Sequence, residues 1–133
     1  MVCLHCGSET RIINSRSQKR ANQVWRRRRC YGCGAVFTTE EKAIYDAEWA
    51  VRDKNDTLEP FSRDKLFLSL YDSCRHRETA LADAAGLTDT IIKKIAAQIQ
   101  GATIDKAAIS EVAQVALNRF DAAASVQYRA FHA

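Results

Sequence analysis

From residue 62 onward the apolar positions recur at helical spacing. Leu66, Phe67, Leu70, Tyr71 and Cys74 fall at i, i+3 and i+4 intervals, which predicts a helix over residues 63–74 that buries this stripe. Ser62 stands at its N-cap and Asp64 in its first turn. A short helix is predicted over residues 78–85, stopped by Gly86. Thr88 then caps a helix to about residue 100, with Ile91, Ile92, Ile95, Ala96 and Ile99 inward and Gly101 as its stop. Asp105 opens the next, to about residue 120, burying Ile109, Val112, Ala113, Ala116 and Leu117. Asp121 caps a last helix whose apolar residues are Val126, Tyr128 and Phe131.

Upstream the periodicity changes. Residues 49–52 predict a strand, Asp53 to Thr57 have turn chemistry, and residues 58–61 return as a second strand that Pro60 restricts to an edge. Nearer the N-terminus, residues 10–15 and 24–30 are rich in β-branched or aromatic positions and predict two short strands. The polar residues 16–23 between them predict the hairpin loop. The whole pattern is α+β: an N-terminal β ribbon over residues 1–42, then a mostly helical domain with a β-hairpin over residues 43–133.

Charge sharpens that division. Residues 1–42 carry nine Lys/Arg against three acids, and residues 43–133 carry eleven against thirteen. A basic module joined to a mildly acidic one predicts different partners for the two. No apolar run approaches the ~20 residues that span a bilayer, and the first residues have neither a charged n-region nor an apolar h-region. A soluble cytoplasmic protein without a membrane partner is expected.

Four of the five cysteines form two pairs, Cys3-x-x-Cys6 and Cys30-x-x-Cys33, each followed by glycine, Gly7 or Gly34. Two-residue spacing lets both thiolates of a knuckle face one ion, and two knuckles complete the tetrahedral S4 set that suits Zn²⁺. Glycine after each pair permits positive φ and lets backbone N–H groups turn toward sulfur. Disulfides fit poorly with a leaderless chain, and a redox Cys-x-x-Cys with the absence of a βαβ context. The 23 residues between the pairs suit a ribbon with a long hairpin. His5 lies inside its knuckle and is expected to be an exposed residue rather than a ligand. Cys74 is expected in the helical core.

Arg26, Arg27, Arg28 and Arg29 run consecutively along the second strand, and Arg16, Lys19 and Arg20 add charge nearby. Strand alternation sends Arg26 and Arg28 to one face and Arg27 and Arg29 to the other. Guanidinium groups so clustered match nucleic-acid phosphates or guanine edges. Charge alone does not choose between DNA and RNA. Trp25 is expected to cover the ribbon's small core. The second module shows no catalytic set: its serines are scattered, His76 and His132 lack obvious partners, and no Walker-type loop, Gly-x-Gly-x-x-Gly or His-Glu-x-x-His occurs. A non-enzymatic dimerisation or scaffold role is the plain reading.

Several motifs together carry a resemblance. They are Cys-x-x-Cys-Gly, Asn14-Ser15-Arg16, the arginine run ending at Cys30, Cys33-Gly34-x-x-Phe37-Thr38-Thr39-x-Glu41, Glu59-Pro60-Phe61-Ser62-Arg63-Asp64-Lys65-Leu66, and Ala124-Ser125-Val126 with Tyr128-Arg129-Ala130-Phe131. The chain resembles the NrdR-type bacterial repressors of ribonucleotide reductase genes over nearly its whole length. The resemblance implies a zinc ribbon that binds double-stranded operator DNA, here through Arg16, Arg26, Arg27, Arg28 and Arg29. It implies an ATP-cone that binds ATP or dATP, and a homo-oligomer whose size follows nucleotide occupancy. Carried over by position, Val51, Arg52, Lys54, Glu59, Ser62 and Lys65 fall near the nucleotide, with Lys106 and Ser110 near its base or ribose. Asp53 departs from the pattern, standing where the family places a phosphate-binding lysine, so Arg52 or Lys54 is left to compensate. Family members continue past the position of Ala133, so oligomer contacts made by a longer tail are expected to differ. The alternative is a zinc-ribbon RNA-binding or transcription-machinery adaptor whose helical domain binds a protein.

Overall fold

Two compact units divide the chain in the computed structural model, one over Met1–Ala43 and one from Ile44 onward. The structure describes residues 1–132. In the first unit β1 (Thr10–Gln18), β2 (Gln23–Cys30) and β3 (Val36–Lys42) form an antiparallel sheet in that order. The strands run further than their apolar residues suggest. Residues 16–18 are paired strand rather than loop, with Arg16 opposite Trp25. The connection is a single 3-10 turn, Lys19–Ala21, closed by Asn22 at φ 49°. β3 was not foreseen, although Val36, Phe37, Thr38 and Thr39 are strand-forming types. The buried core of this unit is Cys3, Cys30 and Phe37, with Ala35 against them. Trp25 does not join it and is 45% exposed, contrary to the expectation from size alone.

The second unit begins with a single helical turn, α1 (Tyr45–Glu48), whose Tyr45 packs on Trp49, itself edge-on to Phe61. β4 (Ala50–Arg52) and β5 (Leu58–Pro60) make the expected hairpin, with Pro60 on an edge strand. A third strand, β6 (Thr103–Asp105), pairs parallel with β4 and was not foreseen. The helices are α2 (Arg63–Ser73), α3 (Ala80–Gln98), α4 (Lys106–Phe120) and α5 (Ala122–His132). Leu70, Ile91, Ile95, Leu117 and Cys74 are fully buried between them.

Three helix expectations change. The helices predicted on either side of Gly86 are one continuous helix, α3. Thr88 is not a cap: it is fully buried, and its hydroxyl donates to the Ala84 carbonyl at 2.7 Å. On α5 the buried residues are Ala124, Ser125 and Tyr128, whereas Val126 and Phe131 are exposed.

The caps at Ser62 and Asp121 are as expected. Ser62 Oγ accepts from the Lys65 N–H at 3.2 Å, and Asp121 Oδ1 accepts from the Ala124 N–H at 2.8 Å. Asp121 also ties three segments together. Arg77 donates to Asp121 and to Asp83, both at 2.8 Å, His76 lies 3.2 Å from Asp121, and the Arg77 guanidinium sits over Phe120. The Ala124 N–H, then Arg77, hold the Asp121 carboxyl down at about 2. A depressed folded-state value contributes stability above the ordinary carboxylate range and loses it as pH falls toward that value. Asp121→Asn is therefore expected to lower the melting temperature by several degrees at neutral pH. The gap between variant and wild type should close as pH falls from about 5 to about 2. A gap independent of pH in thermal melts would contradict the assignment.

Candidate metal centre and nucleic-acid interface

The four knuckle sulfurs lie within 4.8 Å of one another, with Cys3 and Cys33 Sγ 3.7 Å apart and Cys6 and Cys30 Sγ 3.4 Å apart. A tetrahedron with ~2.3 Å metal–sulfur bonds has edges of about 3.8 Å, so the set is spaced for a zinc ion and not for disulfides, whose sulfurs sit about 2 Å apart. Gly7 and Gly34 adopt φ of 75° and 73°, the left-handed region that lets each knuckle close. Backbone N–H groups of His5 donate to Cys3 Sγ, and those of Gly32 and Cys33 to Cys30 Sγ, at 3.2–3.4 Å. These donors favour thiolate. His5 is exposed and outside the sulfur cluster, as expected.

Proton affinities within the cluster diverge. Hydrogen bonds from the Ser8 side chain and backbone bring Cys6 down to about 6. The Ala35 N–H lowers Cys33, but burial and the hydrogen bonds it shares with the other thiols outweigh this and raise it to about 11. Four thiolates this close cannot coexist without a cation, which is the charge logic of a metal centre.

The sheet places the arginines as alternation predicts. Arg26 and Arg28 are half-buried on the face that carries Cys30 and Phe37, and Arg27 and Arg29 are exposed on the other. Arg26 donates to Ser15 Oγ at 3.2 Å and pairs with Glu41 at 4.0 Å. Arg28 donates to Thr10 Oγ1 at 3.3 Å, and its Nε is buried without a partner. Arg27 donates to Thr38 Oγ1 at 3.2 Å. Arg16 is exposed in β1. Arg11 belongs beside Arg29 by register, a residue that the sequence pattern did not single out.

In the second unit β4 gathers the other candidate residues. Val51 is buried at its centre, paired with Glu59 on one side and Ile104 on the other. Arg52 lies 3.9 Å from both Asp56 and Asp105. Asp53 is occupied by the turn itself: its Oδ1 accepts from the Asn55 and Thr57 N–H groups at 2.8 and 2.9 Å. Lys54 is exposed in that turn. Lys65 reaches Glu59 at 3.4 Å, beside the Ser62 cap. Lys106 is exposed at the start of α4, directly after Asp105, and Ser110 is half-buried one turn further on, near Tyr128. Each cation here except Lys54 and Lys106 already has a carboxylate neighbour.

Residues 1–41 match the family model described as "Transcriptional repressor NrdR-like, N-terminal domain". The "Transcriptional repressor NrdR" of Symbiobacterium thermophilum is 31% identical over 96% of this chain and 84% of its own. That of Heliobacterium modesticaldum is 30% identical over 96% and 84%. That of Methylacidiphilum infernorum is 32% identical over 74% of this chain and 59% of its own. With its S4 cluster at the base of a three-stranded sheet, the molecule is a zinc-ribbon transcriptional repressor, a non-enzymatic regulator. The chain belongs to the NrdR family. Among the described residues no helix is long and apolar enough to cross a membrane.

Proposed function

We propose that this repressor binds double-stranded operator DNA of ribonucleotide reductase genes through its zinc ribbon and senses ATP or dATP through its second unit. The observation that carries the DNA half is the arginine-rich sheet held by the S4 cluster, in which Arg16, Arg27 and Arg29 are exposed. The nucleotide half rests on the family resemblance and on the β4 surroundings, where Val51, Arg52, Lys54, Glu59, Ser62 and Lys65 lie on one hairpin and the helix start that follows it, with Lys106 and Ser110 on α4. Asp53 Oδ1 accepts from the N–H groups of its own turn, which fixes where that carboxylate sits. Lys54, free of a carboxylate partner, is the cation left to take the place of the missing lysine. Nucleotide binding that differs between assemblies shifts their populations, and several ribbons presented together raise DNA affinity through effective concentration.

The test is size-exclusion chromatography with light scattering on the zinc-loaded protein, alone and with ATP or dATP. A homo-oligomer whose mass changes with nucleotide is expected. Unchanged mass with no nucleotide co-eluting would remove the sensing half and leave a constitutive repressor. Lys65→Glu should weaken dATP binding by roughly tenfold or more, because it replaces attraction by repulsion beside phosphate. Calorimetric titration checks this.

A further inference from the structure

The register of the ribbon sheet contains an irregularity that decides which residues share a face. Thr10, Arg11 and Ile12 pair with Cys30, Arg29 and Arg28. After a bulge at Ile13 the pairs resume as Asn14 with Arg27, Ser15 with Arg26 and Arg16 with Trp25. Directly paired residues point to the same face. In an unbroken strand Arg11 would share a face with Ile13 and Ser15, and Arg16 would lie opposite. The extra residue flips that parity, a recognised use of bulges. Arg11, Asn14 and Arg16 therefore all stand with Arg29, Arg27 and Trp25.

The two faces differ in charge state as well as composition. On the bulge-assembled face Arg11, Arg16, Arg27 and Arg29 are exposed, and among the described residues no carboxylate lies within ion-pair distance of them. The acid that register adds there, Glu40, is paired with Lys42 at 3.2 Å. On the opposite face Arg26 is paired with Glu41, and Arg28 is tied to Thr10 and packed toward Phe37. Trp25, a large aromatic with no core to fill, lies beside Arg16 at one end of the exposed basic face.

We propose that this one face, carrying Arg11, Asn14, Arg16, Trp25, Arg27 and Arg29, is the surface that enters the major groove of duplex DNA, while Arg26 and Arg28 serve the sheet. The inference rests on the DNA-binding reading above and names its contact surface. β1 is a free edge of the three-stranded sheet, so the β1–β2 hairpin can lead that sheet into the ~12 Å major groove, which is wide enough for two strands. From the Arg11–Arg29 row to the Arg16–Trp25 row is four residues of β2, about 14 Å, so the end rows reach the two phosphate walls. The central row, Asn14 beside Arg27, faces base edges. Asn suits adenine and Arg suits guanine, each by two hydrogen bonds, and Thr38 steadies the Arg27 guanidinium. Trp25 supplies apolar surface for sugars and thymine methyls. The deep, narrow groove of A-form RNA does not admit such a ribbon.

The full-length zinc-loaded protein is titrated by fluorescence anisotropy against a random-sequence DNA duplex over a salt series. It is also used to select from a randomised duplex pool. Arg11→Ala, Arg16→Ala and Arg29→Ala are expected to weaken all duplexes alike and to reduce the salt slope by about 0.9 each. Asn14→Ala and Arg27→Ala should relax the selected sequence, with roughly 5- to 100-fold loss on the preferred site. Trp25→Ala should weaken binding on every duplex. Arg26→Gln and Arg28→Gln, which keep a hydrogen-bond donor, should leave the slope unchanged with zinc content intact. A reduced slope in the Arg26→Gln and Arg28→Gln proteins alongside unchanged Arg11→Ala and Arg29→Ala proteins overturns the face assignment. Tighter binding to an RNA hairpin than to any DNA duplex overturns it too. Wild-type protein that binds no duplex defeats the DNA reading itself, a result separate from either.

Discussion

Chelation of zinc is expected to unfold the first unit completely and to abolish DNA binding with it. The buried core there is three residues, Cys3, Cys30 and Phe37, and two of these are metal ligands. A unit of about 40 residues cannot bury enough apolar surface to fold unaided. Structural zinc contributes roughly 10–16 kcal/mol in small zinc modules, comparable with the whole stability of an ordinary domain. With the ion gone, four thiols within 4.8 Å remain, together with a sheet whose β1 residues are almost all exposed. Cys30→Ser should have the same effect, since Cys30 is buried and its sulfur also receives the Gly32 and Cys33 N–H groups. The measurement is amide dispersion of β1–β3 by NMR with zinc content assayed in parallel. Native dispersion in excess chelator would refute the claim. The pH direction follows from the ligands. The metal-free cluster holds protons, with Cys33 up at about 11, and the metal-bound cluster does not. Acidification therefore favours the metal-free form, and zinc affinity should fall steadily as pH is lowered.

The metal centre was legible because it depends only on short-range spacing. Two residues between cysteines and a glycine after each pair dictate a knuckle whatever surrounds it, and Gly7 and Gly34 take the positive φ that this requires. The Ser62 and Asp121 caps were legible for the same local reason. What failed needed tertiary knowledge. Gly86 and Thr88 read as punctuation between two helices, yet burial of Ala84, Leu87 and Thr88 carries α3 straight through them. A helical glycine costs about 1 kcal/mol against alanine, which packing of this stripe exceeds. β6 is three residues long and gains its identity only from a parallel partner some fifty residues earlier in the chain. In the candidate interface the alternation of Arg26 to Arg29 was readable from a two-residue period. The bulge at Ile13 is not, so the pattern does not set Arg11, or the Asn14 of the Asn14-Ser15-Arg16 motif, on the face of Arg27 and Arg29. Size alone sends Trp25 to the core, but the cysteine cluster and Phe37 already occupy that core. Asp53 reads from sequence only as a misplaced charge, whereas its carboxylate closes the β4–β5 turn.

Leu117→Ala should destabilise the second unit by about 3–5 kcal/mol, lowering its melting temperature by roughly 10–20 °C. Leu117 is fully buried on α4 in the cluster that also holds Leu70, Ile91 and Ile95, so truncation leaves a cavity that three helices cannot easily close. That loss makes the variant a sensitive reporter of ligand binding. A nucleotide at a hundredfold over its Kd stabilises a fold by about 2.7 kcal/mol, enough to recover much of the deficit. Differential scanning fluorimetry of the zinc-loaded variant with and without dATP measures both quantities. A cavity penalty below about 1 kcal/mol would mean that the α2–α3–α4 core is looser than its burial implies. Recovery of the melting temperature by dATP would locate nucleotide binding in the second unit, because a ligand of the ribbon alone has no linkage to that transition. Since Leu117 is an apolar core residue and not one of the cations proposed to hold phosphate, its replacement lowers stability without removing any of those groups. Adding Lys65→Glu to the same background should abolish the recovery and leave the cavity penalty as it was. Persistence of the dATP effect in that double variant would move the nucleotide away from the β5–α2 junction.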